Sequence, residues 1–132
     1  MRLWHKDLIK VLPRQQLLAQ WIELCSIYAK QDNHILINFV YEDISSLKEY
    51  SDLIIQEFKR RGYKIGTNAM SRYTHYFSDK NIEEVAVIFP SKMNIRYFKQ
   101  CYYNLEEKFD CGGVSIEEFE PIYALAKQIM TS

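Results

Sequence analysis

Residues 12–24, LPRQQLLAQWIEL, hold one acid among leucines, glutamines and a tryptophan. That acid, Glu23, is a candidate for proton-transfer chemistry. A positioned carboxylate can give and take protons, and it can stabilise a positive charge that develops beside it. At about 100° per residue the apolar stripe of this stretch centres between Leu17 and Leu18. Glu23 then falls nearly opposite, on the side shared by Gln16 and Gln20. Spacing alone favours an ordinary solvated face, since glutamate is mostly exposed.

A second set is basic. Lys59, Arg60, Arg61 and Lys64 form the densest cationic cluster. It suits a phosphate grip, and it also suits a helix C-terminus whose dipole it balances. Tyr73, His75, Tyr76 and Phe77, in SRYTHYF, can stack on an extruded base or simply pack. His5, His34 and His75 lack metal-ligand spacing, and no Cys/His set suggests zinc. There is no GxSxG, no phosphate-cradling glycine loop and no dinucleotide fingerprint. Neither a metal nor a cofactor is expected.

The 132 residues, with 48% apolar and 26% charged content, show ordinary globular usage. One domain over 1–132 is expected. Three prolines and four glycines leave room for helices to dominate. Pro13 suits a first helical turn, and Leu17, Leu18, Trp21, Leu24, Cys25 and Tyr28 recur at helical spacing, which predicts a helix over 13–29. Ser46 and Glu49 read as a capping box for a second helix over 47–61, ended by Gly62. Residues 33–40 are ambiguous between extended chain and a helix start. Residues 63–82 look irregular, and 85–89 (VAVIF) read as a short buried extended segment. Ser91 is a candidate cap for a third helix bearing Ile95, Phe98, Tyr102, Leu105 and Phe109, closed by Gly112 and Gly113. Ser115 and Glu118 again have capping-box spacing, but Pro121 argues for a turn at 115–119 and a last helix over 120–130. The predicted fold is mainly α: a single compact helical domain with a mixed N-terminal arm over 1–11 and a few short extended segments.

Formal net charge is zero, which weighs against strong nonspecific binding to nucleic acid. The charge is uneven, however. Residues 1–103 hold 15 Lys/Arg against 11 Asp/Glu, and 104–132 hold 2 against 6. A polyanion would meet the N-terminal part first. Cys25, Cys101 and Cys111 are an odd set without CxxC, in keeping with reduced thiols rather than a disulfide framework. No apolar run reaches membrane-spanning length, and the start lacks a signal-peptide apolar stretch. A soluble cytoplasmic protein is expected.

The run MRLWHKDLIKVLPRQQLLAQWIEL, continued by NHILINFVYED and EFKRRGYKI, resembles the pyrimidine-dimer DNA glycosylases of the phage endonuclease V type. It is similar in particular to a bacterial branch that begins MRLWH…LPRQ-LLAQW. The resemblance covers about the first half of the chain and is weak beyond Thr67. It implies a compact, mainly helical fold that acts on damaged double-stranded DNA. Such an enzyme cuts the glycosidic bond of a damaged pyrimidine and then nicks the strand at the abasic site. By the same resemblance the nucleophile is the N-terminal α-amine, here on Met1, and Glu23 is the acid/base. The arm over 1–11 then has to fold back over the first helix, and Leu3, Trp4 and Leu8 are apolar enough to hold it there. Gln15 is placed against DNA near the lesion, and Arg2, Lys59, Arg60, Arg61 and Lys64 become candidate DNA contacts. The sequence departs from the family pattern at several positions. Arg2 is too large for efficient methionine removal, Ile22 replaces an arginine, Gln16 replaces a histidine, and Glu117, Glu118 and Glu120 stand where a basic aromatic tail would lie. Two other functions fit the same residues: a noncatalytic member of the fold that binds nucleic acid or protein, and an enzyme acting on another nucleobase or nucleoside.

Overall fold

A computed structural model describes residues 2–30 and 37–131, with Lys30 described in its backbone only. Met1 lies outside the described residues, as does most of the ambiguous stretch 33–40. The helices are α1 (Arg14–Lys30), α2 (Ile44–Arg61), α3 (Thr67–Ser78), α4 (Ile95–Asp110) and α5 (Ile116–Met130), with 3-10 turns at Lys6–Val11 and Asn38–Glu42. No strand occurs among the described residues, and the mainly α expectation holds.

The N-terminal arm is part of the core rather than an appendage. Leu3, Leu8, Ile9 and Leu12 are buried with Leu17 and Leu24 of α1, Tyr50 and Ile54 of α2, Phe98 and Leu105 of α4 and Ile122 of α5. His5 starts the arm's 3-10 turn, its Nδ1 accepting the Asp7 N–H at 3.1 Å. Its ring meets the edge of Phe98, and burial lowers its pKa, so it is a neutral packing group. α1 packs on α2 and α3, α4 on α5, and the arm's turn contacts α2 and α5. Pro13 immediately precedes α1, and its carbonyl accepts the Leu17 N–H at 3.0 Å.

Several local expectations are corrected. Helix α2 starts earlier than 47, because Asp43 and not Ser46 is the cap: its Oδ1 accepts the Ser46 N–H at 3.1 Å. Ser46 is buried and accepts the Phe89 N–H, while Ser45 accepts the Glu83 N–H, so these serines hang the 81–93 segment on α2. That segment is not extended. Only Phe89 of VAVIF is buried, Val87 is 50% exposed, and Phe89 has φ 45°, a strained value for a bulky side chain. Residues 67–78 of the stretch read as irregular form α3; Tyr73, Tyr76 and Phe77 gather around Tyr28 of α1. These aromatics pack, and His75 is exposed. Asn94, not Ser91, caps α4, accepting the Tyr97 N–H at 2.9 Å. The Ser115–Glu118 capping box does form, and α5 runs through Pro121. A proline there removes one N–H near the start of the helix, while the reciprocal cap satisfies two donors otherwise left open. Gly62 ends α2 with φ 78°, as its position predicts: Gly62 and Tyr63 donate to the Lys59 and Phe58 carbonyls.

Candidate active site

Glu23 lies on the side of α1 away from Leu17, as the spacing predicts, yet it is not in open solvent. The arm runs over that side. Gln20, one turn before Glu23, is the reason, and it is only 1% exposed. Its Oε1 accepts the Trp4 N–H and the Tyr50 hydroxyl, each at 2.8 Å. Its Nε2 donates to the Arg2 carbonyl at 3.3 Å and to Glu23 Oε2 at 3.1 Å. The orientation of the amide is fixed, since a backbone N–H can only donate and a carbonyl can only accept. The oxygen and both N–H groups of one buried amide are thus engaged, the condition under which such a group specifies a single geometry.

Two tyrosines complete the seam. Tyr50 of α2, fully buried, has a single hydroxyl proton, which it shares between Gln20 Oε1 and the Trp4 carbonyl 2.7 Å away. Tyr97 of α4 donates to the Leu3 carbonyl. Residues 2–4 are therefore fastened by side chains from α1, α2 and α4. Burial pushes the Glu23 carboxyl above the usual glutamate range, opposed by the positive charge of the chain's amino terminus, by the Arg2 N–H and by Gln20. A carboxyl raised in this way and still open to a cleft is suited to proton transfer.

The cleft has a volume of about 490 Å³ and is lined by Arg2, Trp4, Gln15, Gln16, Glu23 and, from α4, Asn104 and Lys108, with Ala19 in its floor. Gln15 and Arg2 thus meet Glu23 in one place. Gln16 Oε1 is buried with no hydrogen-bond partner among the described residues. Ile22 is 65% exposed.

The cluster at 59–64 lies elsewhere. Arg60 and Arg61 line a separate cleft of about 400 Å³ with Arg14, Tyr63 and Glu118. Both close on Glu57, an acid only 7% exposed: Arg60 Nε donates at 2.9 Å and Arg61 Nε at 2.6 Å. Their remaining donors reach the Lys10 and Ile9 carbonyls at the end of the arm's turn. Burial alone would raise the Glu57 pKa, but the two guanidinium groups outweigh it and hold the carboxyl below the usual range. Lys59 and Lys64 are exposed.

Gln20, Tyr50, Tyr97, Asn104 and Lys108 are the site residues that sequence reasoning missed. Gln20 had one signal, its position a turn before Glu23 on the same side. The tyrosines had none, because their partners are far away in sequence. No group of His, Cys, Asp and Glu able to hold a metal ion occurs among the described residues, and none of their helices is long and apolar enough to cross a membrane.

No curated protein and no solved structure matches the chain. A model of the pyrimidine dimer DNA glycosylase family matches residues 1–71, which contain the arm, α1, Gln20, Glu23 and α2. Over half of the chain is thus accounted for by one family model, and the protein belongs to the pyrimidine dimer DNA glycosylase family.

Proposed function

We propose that the protein is a DNA repair glycosylase with abasic-site lyase activity, acting on damaged pyrimidines in double-stranded DNA, with the Met1 α-amine as nucleophile and Glu23 as acid/base. The observation that carries this is the Gln20 amide, which donates both to the Arg2 carbonyl and to a half-buried, cleft-facing Glu23. The α-nitrogen of Met1 is one residue before Arg2, and a residue spans at most about 3.6 Å of chain. An α-amine has a pKa of about 8, so a useful fraction is neutral and nucleophilic near pH 7.

The amine lone pair attacks the sugar C1′ as the glycosidic bond breaks, and the bonding pair leaves with the base, which takes up a proton. Positive charge builds on the ring during this step and is stabilised by the Glu23 carboxylate. The C1′–O4′ bond then opens as O4′ gains a proton, leaving an imine between C1′ and the amine. Loss of a proton from C2′ to the carboxylate expels the 3′ phosphate and cuts the strand. Water releases the sugar fragment and returns the amine. Extruding the base costs a few kcal/mol, lowest where the lesion already weakens stacking. Arg2 and Gln15 meet the DNA at the lesion. Arg60 and Arg61 line another cleft and are held by Glu57, so they take no part at the Glu23 cleft.

The test is incubation with duplex DNA containing an abasic site, with borohydride added to reduce any imine. A covalent adduct mapped to Met1, lost in Glu23→Gln, is the expected result. DNA retention without an adduct would instead mark a noncatalytic binder. With neither, the substrate is another nucleobase or nucleoside, or the partner is a protein.

A further inference from the structure

Helix α4 lies outside the stretch matched by the family model, yet it forms one wall of the cleft. Arg96, Gln100, Asn104 and Lys108 recur every four residues along it. Asn104 and Lys108 line the Glu23 cleft, while Arg96 and Gln100 line a neighbouring cleft of about 300 Å³ with Lys92. Tyr97 joins the two: it lines the second cleft and donates to the Leu3 carbonyl, between Arg2 and Trp4 of the first.

Charge along this flank is one-sided. Arg2, Lys92, Arg96 and Lys108 line the two clefts against a single acid, Glu23, in a chain whose net charge is zero. The acids of α4, Glu106, Glu107 and Asp110, line neither cleft. Arg96 and Lys108 are exposed, and neither forms an ion pair among the described residues. Twelve residues of helix span about 18 Å, the axial rise of roughly five nucleotides.

We propose that this flank of α4 is a phosphate-contacting ridge along which a DNA strand leaves the Glu23 cleft. Arg96 and Lys108 are its charged ends, and Gln100 and Asn104 are neutral donors between them. The occupant rests on the glycosylase reading; what is added is the path of the strand and the half of the chain that holds it. A regularly repeated anion fits this spacing. Guanidinium and ammonium groups with amides between them are the side chains that ordinarily meet phosphate oxygens without reading sequence.

The experiment measures binding to a duplex with an abasic site over a range of salt concentrations, alongside borohydride trapping by the wild type. Arg96→Gln/Lys108→Gln is expected to flatten the dependence of log affinity on log salt by about 2, close to 0.9 per lost phosphate contact. Lys99→Gln/Lys127→Gln, with the same change in charge on other surfaces, is expected to leave the slope alone. Arg96→Lys/Lys108→Arg, which keeps the charge, is expected to retain it as well. An unchanged slope in Arg96→Gln/Lys108→Gln, with wild type that binds and is trapped, would overturn the ridge and leave the glycosylase reading standing. Wild type that neither binds nor is trapped would overturn both.

Discussion

Two polar clusters fasten the N-terminal arm, and they are built in opposite ways. At residues 2–4 the fastening is neutral: one glutamine amide and two tyrosine hydroxyls hold backbone groups next to Glu23. At residues 9–10 it is ionic: Arg60 and Arg61 close on the buried Glu57 and reach carbonyls of the arm. The densest positive charge in the sequence is thus largely committed to structure. Arg2, Arg96 and Lys108, which line the clefts along α4, are scattered over positions that no linear cluster reveals. A glutamate is central to both regions, with opposite consequences. Glu57 has two guanidinium partners and a lowered pKa; Glu23 has weaker compensation for its burial and a raised one. The basic run supports the fold, and the sparse one faces the cleft.

The sharpest way to break this comparison is Glu23→Gln. Imine trapping is expected to fall by about 10²–10⁴-fold, the usual worth of a positioned acid/base, as read by single-turnover assay. Stability should not fall with it. The folded protein keeps the Glu23 proton to higher pH than the unfolded chain does. Wild-type stability therefore drops as pH rises from the ordinary glutamate range near 4.5 through the raised folded pKa. The variant lacks that drop, which denaturant melts at pH 4 and pH 7 would show.

Gln20→Leu comes next, because it strips partners from the Trp4 N–H and the Arg2 carbonyl at once and removes one of the two acceptors of the Tyr50 hydroxyl. A loss of about 2–4 kcal/mol is expected, together with at least tenfold slower trapping. Undiminished trapping would show that the seam does not position the amine. Glu57→Gln should cost about 1–2 kcal/mol, since the acid is buried but one of its arginines is largely exposed, and it should leave trapping unchanged. Here the sign is reversed. Glu57 has a lowered folded pKa, so its contribution is present at neutral pH and is lost as pH falls from near 4.5 through that folded value. Wild type and variant are expected to converge in melts at low pH. Smallest is Lys59→Gln/Lys64→Gln, both exposed: stability within about 0.5 kcal/mol of wild type and an unaltered salt slope for DNA. A flattened slope would return the basic cluster to the DNA interface.

Helices α1, α2 and α4 were legible because the signals that make them are local: apolar residues every three or four positions, and a glycine where the backbone must turn left-handed. Helix α3 was not, since its apolar residues, Ala69, Met70, Tyr73 and Phe77, are diluted by polar neighbours and form a helix by packing on Tyr28. Ser46 was misread for a related reason, since it and Ser45 hold distant chain. Their partners are Glu83 and Phe89, nearly forty residues away or more, and no cap pattern encodes that.

At the candidate site, local pattern was enough to mark the helix that carries Glu23, the side on which Glu23 lies and the apolar residues that bring the arm back. The covering of that side by the arm, the part Gln20 has in it and the pairing of Arg60 and Arg61 with Glu57 emerge only in the folded chain. The physical reason is the range of the interactions. Periodicity and capping act within a turn or two of chain, whereas a buried amide or a guanidinium chooses its partner from whatever the packed core brings within hydrogen-bond reach.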